Sequence, residues 1–415
     1  MAVLKPFRAL RPIPSLASKV AALPYDVMDS AEARLMVKGN PYSFLHVDKA
    51  EIDLDPAVDL YDGQVYEKAK KNLHKMVDAG TLVQDDQRCF YIYQQTMDGR
   101  AQTGLVGCTS IDDYLNNIIK KHELTRAEKE QDRIRHVDCC NANTGPIFLT
   151  YRAQGEINQI IEDWMGGHSP VCDFVSEDEI GHRVWVIDHA STITQLIRAF
   201  EQIETLYIAD GHHRAASAVK VGLKRRTQFP QFRGDEEFNF FLAVLFPDEQ
   251  LHIMDYNRVV KDLNGHTPDQ FLEKVKEKFT VLAYQGTGPC RPPEKHSFGM
   301  YLGGQWYLLK ANEGTYQEND PMDRLDVSIL QNNILTPILG IEDPRTDKRI
   351  DFVGGIRGLE ELERRVQAGM QVAFSMFPTT IDDLMAIADA GAVMPPKSTW
   401  FEPKLRSGLF IHELS

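Results

Sequence analysis

Hydrophobic residues recur along this chain with two periods, one typical of helices and the other of strands. Residues 60–79 carry the clearest helical pattern, which Gly80 ends. Its apolar positions at helical spacing are Val65, Ala69, Leu73 and Met76. Residues 89–110 hold two strand-like runs around Asp98-Gly99, a dipeptide typical of tight turns. The pattern predicts a helix followed by a β-hairpin.

The same reading extends to the rest of the chain. It predicts further strands over 146–151, 183–187, 205–209, 238–246, 256–260, 279–284, 297–302, 305–310 and 371–375. It predicts further helices over 31–38, 155–166, 191–200 and 267–278, and a helix that follows residues 210–214 within a strand–helix unit over 205–222. Residues 251–254 are expected to form a hairpin with 256–260, and the chain from 322 onward is expected to be mostly helical. Because strands and helices mix without a repeating βαβ order, we expect an α+β fold with mixed sheets.

The run Asp210-Gly211-His212-His213-Arg214 lies between a predicted strand and a predicted helix. Glycine lets the backbone approach a ligand closely, and the start of a helix favours an anion. The histidines and the arginine add hydrogen bonding, proton transfer and charge. The run therefore predicts a phosphate site, with Asp210 as a candidate Mg²⁺ ligand. The alternative is that Asp210 caps the helix and the following residues form a solvated first turn.

Residues 120–136 are densely charged. The candidate phosphate-binding side chains here are Lys121, His122 and Arg133, and Glu123 is a candidate catalytic base. Asn141 and Asn143 follow and are candidates for binding a nucleotide or an amino acid. The alternative is a solvated helix with ion pairs between residues four apart.

The composition of the chain argues against several classes of function. The chain has 415 residues and a formal net charge of -14, which argues against non-specific binding of nucleic acid. It has six scattered cysteines and no run of about 20 apolar residues, so we expect a soluble cytoplasmic protein with reduced thiols and no membrane partner. The P-loop, GxGxxG, HExxH and GxSxG motifs are absent.

At Asp210–Arg214 the chain resembles the ParB/sulfiredoxin superfamily, which places a glycine, a polar residue and an arginine at the start of a phosphate-binding helix. Along its length it resembles the DUF1015 family, which is linked to SerK-type free serine kinases. The segments that carry this resemblance are 24–27, 40–47, 121–133, 141–143, 210–214, 256–258 and 394–399.

The resemblance implies a small-molecule kinase that uses ATP or ADP with Mg²⁺ and forms O-phospho-L-serine from L-serine. It implies a nucleotide cradle over Asp210–Arg214, in which His212 or His213 would hydrogen-bond the transferring phosphoryl group and His213 is the candidate catalytic residue. By position, Asp26 would be the catalytic base. It also implies three regions: an N-terminal α+β region over 1–150, a ParB-like nucleotide-binding core over 151–265, and a partly helical C-terminal α+β region over 266–415.

Other functions within the superfamily fit less well. Sulfiredoxins carry a catalytic cysteine where this chain has His212, and imidazole does not replace that thiol. ParB proteins pair the cradle with a basic DNA-binding domain, whereas this chain is acidic. A nucleotide-binding regulatory protein without transferase activity stays open as the alternative, as does the oligomeric state.

Overall fold

The computed structural model describes residues 1–415, and the chain divides into two compact units. Unit 1 comprises residues 1–251 and 403–415, whereas unit 2 comprises residues 252–402. The divisions after residues 150 and 265 fall within unit 1 and unit 2 respectively, and the three-region organisation stays a prediction. No helix combines the length and the apolar character needed to cross a membrane.

Unit 1 contains thirteen of the strands, numbered in chain order. They are β1 (Leu4–Lys5), β2 (Leu10–Pro12), β3 (Leu82–Gln84), β4 (Phe90–Met97), β5 (Arg100–Ser110), β6 (Ile119–Lys120), β7 (Ala142–Asn143), β8 (Ile147–Tyr151), β9 (Cys172–Val175), β10 (Gly181–Ile187), β11 (Leu206–Asp210), β12 (Phe240–Pro247) and β21 (His412–Glu413). Nine of them form one sheet in the order β6-β11-β8-β12-β5-β4-β10-β9, with β1 also paired to β5. The β6–β11 and β8–β12 pairs are parallel and the others antiparallel. The predicted α+β class with mixed sheets is therefore confirmed.

Nine helices accompany these strands. They are α1 (Ala17–Val20), α2 (Ser30–Met36), α3 (Leu45–Asp48), α4 (Gly63–Asp78), α5 (Ile111–Leu115), α6 (Ala127–Cys140), α7 (Gly155–Gly167), α8 (Ala190–Glu201) and α9 (His212–Gln228). The predicted apolar stripe of α4 is buried at all four positions. The predicted hairpin joins β4 to β5, and positive φ at both Asp98 and Gly99 gives the tight turn that such a connection requires.

Unit 2 contains the remaining strands and helices. They are β13 (Ile253–Met254), β14 (Tyr256–Val260), β15 (Phe279–Ala283), β16 (Ser297–Leu302), β17 (Gln305–Ala311), β18 (Ile350–Gly354), β19 (Val372–Met376), β20 (Trp400–Phe401), α10 (Pro268–Lys276), α11 (Asp326–Leu330), α12 (Glu360–Gln367) and α13 (Ile381–Asp389). A π-helical turn over Gln331–Leu335 continues α11. Six strands form a sheet in the order β15-β17-β16-β19-β14-β18.

Two predictions for this part of the chain are wrong. The region after 322 is not mainly helical, because it also holds β18, which was not predicted and pairs with β14, whereas the predicted strand over 371–375 is confirmed as β19. The expected hairpin between 251–254 and 256–260 does not form either. Only Asp255 separates β13 from β14, which is too short for a reversing turn, so β13 pairs with β20 instead.

The helices α6 and α9 of unit 1 lie side by side and run in the same direction. The backbone N–H of Arg126, just before α6, reaches His213 in the first turn of α9. At the other ends, Asp138 of α6 pairs with Lys224 and Arg225 of α9. The amino ends of both helices therefore lie together, next to the carboxyl end of β11.

Candidate nucleotide-binding site

The predicted phosphate run lies where β11 passes into α9. Gly211 adopts a left-handed conformation with φ 93° and ψ 30° and precedes the first helical residue, His212. Asp210 does not cap the helix, because its Oδ1 accepts a hydrogen bond from the N–H of Gly211 at 2.9 Å. No side chain caps α9. The first amides of the helix thus remain available to an anion, and capping by Asp210 is excluded as the explanation of this run.

A second helix start faces the same place. No side chain caps α6, and the N–H of Arg126 donates to Nε2 of His213 at 3.0 Å. Each helix start carries a partial positive charge, equivalent to about half an elementary charge. Two such ends side by side favour a multiply charged anion more than one alone.

Arg214 is held in a fixed position between two glycines. A Cβ on Gly211 would lie 3.2 Å from Nε of Arg214, and a Cβ on Gly145 would lie 3.6 Å from its Nη1. Nη1 donates to the carbonyl oxygen of Pro146, and Nη2 lies 4.0 Å from Oδ2 of Asp210. Its Nε is buried without a hydrogen-bond partner. The guanidinium group is therefore oriented by the protein and keeps a donor for a ligand.

Asp210 is shared by two cations. Its Oδ2 lies 3.3 Å from Nζ of Lys404 and 4.0 Å from Nη2 of Arg214. Burial by itself would raise the pKa of Asp210, but Lys404 and then Arg214 outweigh it and lower the pKa to about 2. Asp210 is therefore ionised and holds both cations at the end of β11.

Sequence reasoning did not find Lys404, which is 194 residues from Asp210. Another lysine, Lys397, lies in the 394–399 segment that carries part of the family resemblance. That segment lies in unit 2, where the carbonyl oxygen of Lys397 accepts a hydrogen bond from Nη2 of Arg258 at 3.0 Å. No local signal distinguishes Lys404 from other lysines, since only the fold brings it to β11.

His122 and His212 form a buried pair. Their rings meet edge to face with centroids 4.5 Å apart, and Nε2 of His212 accepts the N–H of His122 at 3.4 Å. Nδ1 of His212 lies 3.7 Å from Oε2 of Glu123. Burial lowers the pKa of both rings, that of His122 to about 4. Both histidines are therefore neutral near pH 7, and Nδ1 of His212 carries its proton toward Glu123.

His213 is a hydrogen-bond donor in this arrangement. Its Nε2 already accepts from Arg126, so its proton resides on Nδ1. Burial lowers the pKa of His213, and Lys129 lowers it further, whereas the Asp26 carboxylate raises it. The ring is thus a neutral donor suited to a phosphoryl oxygen, and it lies within electrostatic reach of Asp26.

Asp26 and Glu123 are the exposed carboxylates beside these histidines. Asp26 lies in a turn directly after Tyr25, whose ring stacks under the guanidinium group of Arg133 at 4.0 Å. Burial raises the pKa of Tyr25, so the hydroxyl is neutral and can donate. Its oxygen is buried without a partner.

The two remaining candidate phosphate-binding residues of the charged segment, Lys121 and Arg133, already contact other side chains. The ammonium group of Lys121 lies 4.2 Å from the ring centre of Tyr114, and its charge lowers the pKa of His212. Arg133 is buried and donates from Nε to Asp132 at 2.8 Å. A purely solvated helix does not describe α6, because Arg133 and Glu130 face the interior.

A cavity of about 30 Å³ adjoins the cradle, which is room for about two water molecules. Its lining includes Tyr25, Arg133, Asn143, Thr144 and Arg214. Tyr25, which carries an unpaired hydroxyl, and Arg214, which carries an unpaired Nε, both belong to this lining. The cavity is therefore bordered by two residues that each keep an unpaired donor.

The structure separates the two predicted asparagines. Asn143 lines the cavity, although its Oδ1 accepts the N–H of Leu242 at 3.1 Å. Asn141 ends α6 in a left-handed conformation and donates to Ser415. Since a fourteen-residue helix is about 21 Å long, Asn141 lies far from the helix starts and is not brought to the cradle.

The predicted Mg²⁺ role of Asp210 fits poorly with its surroundings. Two cations already lie beside its Oδ2, and they disfavour a third. No group of three or more His, Cys, Asp or Glu side chains is arranged to hold a metal ion. Asp26 and Glu123 are the carboxylates that remain exposed to a cation carried by a ligand.

Comparison with known proteins identifies the family. The model of the DUF1015 family, described as a protein of unknown function, matches residues 4–328. The chain belongs to the DUF1015 family. A search of the curated proteins gives no match for this DUF1015 protein.

Several solved structures are similar to it at low identity. A free serine kinase variant in complex with AMP has a TM-score of 0.37 and 12% identity, covering 72% of this chain and 90% of that one. A free serine kinase variant in complex with ADP has a TM-score of 0.36 and 14% identity, covering 75% and 93%. A conserved hypothetical protein from Pyrococcus furiosus has a TM-score of 0.36 and 13% identity, covering 73% and 93%.

Proposed function

We propose that this DUF1015 protein is a nucleotide-dependent phosphotransferase that forms O-phospho-L-serine from L-serine, with ATP or ADP as donor. The observation that carries the proposal is the meeting of two uncapped helix starts beside Arg214 and Lys404. Enzymatic phosphoryl transfer depends mainly on positioning and on neutralising the charge of the phosphate oxygens. Serine as the acceptor follows from the family resemblance of the sequence.

The donor phosphates would bind at the start of α9, in a cradle of the ParB/sulfiredoxin type. The first amides of α9 and the fork of Arg214 supply charge-assisted hydrogen bonds. The Nδ1–H of His213 supplies a further donor that does not add charge. These groups are held in place before any ligand binds, which is the condition for electrostatic stabilisation of the transition state.

The acceptor would approach from the side of Tyr25 and Asp26. Its hydroxyl oxygen forms the new bond to the terminal phosphorus, and the bond from that phosphorus to the bridging oxygen breaks and releases the shortened nucleotide. The hydroxyl proton passes to the carboxylate of Asp26, which lies within electrostatic reach of His213. The Tyr25 hydroxyl would donate to the carboxylate of serine.

Mg²⁺ would enter with the nucleotide, because it is commonly held by phosphate oxygens, waters and one or two carboxylates. When bound, it neutralises charge on the donor phosphates. Glu123 would be its protein ligand, because Asp26 takes the proton of the acceptor and Asp210 is shared by Lys404 and Arg214.

Arg214→Ala tests the cradle. Loss of its charge-assisted hydrogen bonds is expected to weaken ATP or ADP binding by about 10- to 100-fold, measured by calorimetry. The matched control is Arg225→Ala at the far end of the same helix, where the arginine pairs with Asp138. Equal affinity in both variants would mean that nucleotide binds elsewhere.

Mass spectrometry tests the transfer itself. Purified protein, L-serine, Mg²⁺ and either nucleotide are expected to yield phosphoserine, and the Arg214→Ala variant is expected to yield much less. Nucleotide binding without phosphoserine would favour a regulatory nucleotide-binding protein instead. Phosphate release that does not depend on serine would indicate a nucleotide hydrolase.

A further inference from the structure

The last thirteen residues of the chain return to unit 1 after the whole of unit 2. They follow the part of the chain that the family model matches, which ends at residue 328. We call residues 403–415 the C-terminal strap. Lys404 stands near its beginning and is the residue that pairs with Asp210.

The strap is anchored at Lys404 and just after it. The carbonyl oxygen of Lys404 accepts a hydrogen bond from Nε2 of the buried Gln95 at 2.9 Å. Two residues later, the buried Arg406 donates to Oδ1 of Asp178 at 2.6 Å and to Oγ of Ser176 at 3.2 Å. The backbone beneath Lys404 is therefore fixed independently of the Asp210 ion pair.

The strap also reaches the segment that carries the candidate base. Ser407 and Ala22 exchange two backbone hydrogen bonds, of 2.9 and 3.1 Å. Ala22 lies three residues before Tyr25 and four before Asp26. One short piece of chain thus holds an ammonium group at the end of β11 and the backbone that leads to Asp26.

Lys404 is placed so that its ammonium group can contact a ligand while it pairs with Asp210. Its side chain is only 12% exposed, whereas the Asp210 side chain is 33% exposed, so the pair opens to solvent on the carboxylate side. Arg214 lies 4.0 Å from the same Oδ2, so one carboxylate serves two cations. A phosphate beside the α9 start would give the ammonium group a further anion without moving its backbone.

We infer that Lys404 contacts a phosphate of the donor nucleotide and that the C-terminal strap is part of the nucleotide site. This inference rests on the proposed function for the identity of the ligand. In this role Lys404 acts as a point charge on a phosphate oxygen, a use of lysine seen in phosphate sites that carry a P-loop. Asp210 holds the ammonium group in place before the phosphate binds.

The test is ADP affinity in the full-length protein, measured by calorimetry. Lys404→Met is expected to weaken ADP binding by about tenfold or more, and Lys404→Arg to restore most of it, because the loss of one charge-assisted contact is worth about 1.5–3 kcal/mol. The matched control is Lys224→Met. Lys224 is also ion-paired, to Asp138 at the far end of α9, and this variant is expected to bind ADP like the wild type.

A double variant separates contact with phosphate from a merely structural role. If Lys404 only neutralises Asp210, then Lys404→Met combined with Asp210→Asn removes both charges and restores affinity. If Lys404 touches the phosphate, the double variant stays as weak as Lys404→Met. Wild-type affinity in a folded double variant, or no recovery with Lys404→Arg, would overturn the inference, with thermal unfolding as the check that each variant folds.

Failure of the proposed function gives a different result. If wild-type protein binds ADP and forms no phosphoserine, the transferase proposal fails. A selective loss of ADP binding in Lys404→Met would still support the strap as part of a nucleotide site.

Discussion

A substitution at Gly211 separates an effect on folding stability from an effect on nucleotide binding. Its φ of 93° lies in the left-handed region, where an alanine costs about 1–2 kcal/mol of stability. A Cβ there would also lie 3.2 Å from Nε and 3.3 Å from Nη2 of Arg214, so the guanidinium group must shift. Gly234 in the same unit has φ 99° and nothing within 4 Å of an added Cβ. An alanine at Gly234 would therefore share the backbone strain of an alanine at Gly211 but would not contact an arginine side chain.

We expect Gly211→Ala and Gly234→Ala to lose a similar 1–2 kcal/mol, about the cost of the left-handed conformation, in chemical unfolding. Only Gly211→Ala should also weaken ATP or ADP binding. Displacing one charge-assisted hydrogen bond costs about 1.5–3 kcal/mol, or roughly 10- to 150-fold in affinity. Calorimetric titration of ATP or ADP into each folded variant measures this difference in affinity. Equal affinities in the two variants would refute the assignment of Arg214 to the phosphates.

Three further predictions address the base, the buried histidine and the acceptor. Asp26→Asn should lower kcat by about 10²- to 10⁴-fold, as expected for loss of a general base, while calorimetry shows unchanged nucleotide affinity; an unchanged kcat would assign the base to another residue. The free energy of unfolding should fall as the pH drops from 6.5 to about 4, and His122 should account for about 3 kcal/mol of that fall. The reason is that the unfolded histidine takes up a proton near pH 6.5, whereas the buried ring does so only near pH 4. Chemical unfolding across that range should show a smaller fall for His122→Asn, and equal falls would contradict the burial of a neutral ring. Tyr25→Phe should raise KM for L-serine by about tenfold through loss of one hydrogen bond, with nucleotide affinity unchanged, and an unchanged KM would remove Tyr25 from the acceptor site.

The strand-to-helix junction that carries the candidate phosphate site could be predicted because its information is local. Gly211 permits the left-handed turn, the apolar run before it forms β11, and the run after it forms α9. Likewise, Asp98-Gly99 specifies its own hairpin. The family resemblance to DUF1015, carried by several separate segments, is confirmed by the match over residues 4–328.

The rest of the site depends on contacts between residues far apart in the chain. Lys404 reaches Asp210 only because the C-terminal strap returns to unit 1, and no local sequence pattern predicts that return. Tyr25 meets Arg133 through packing between separate segments. Asn141 looked close to the charged segment in sequence, but α6 continues to Cys140 and carries it to the far end of the helix.

Transfer of a phosphoryl group to free serine is the central claim, and isotope-labelled serine tests it most directly. Wild-type protein, labelled L-serine, Mg²⁺ and ATP or ADP would be incubated and the products resolved by mass spectrometry. The account predicts labelled O-phospho-L-serine in an amount equal to the nucleotide consumed, and almost none with Arg214→Ala. Tight nucleotide binding with no labelled phosphoserine from either donor would contradict it.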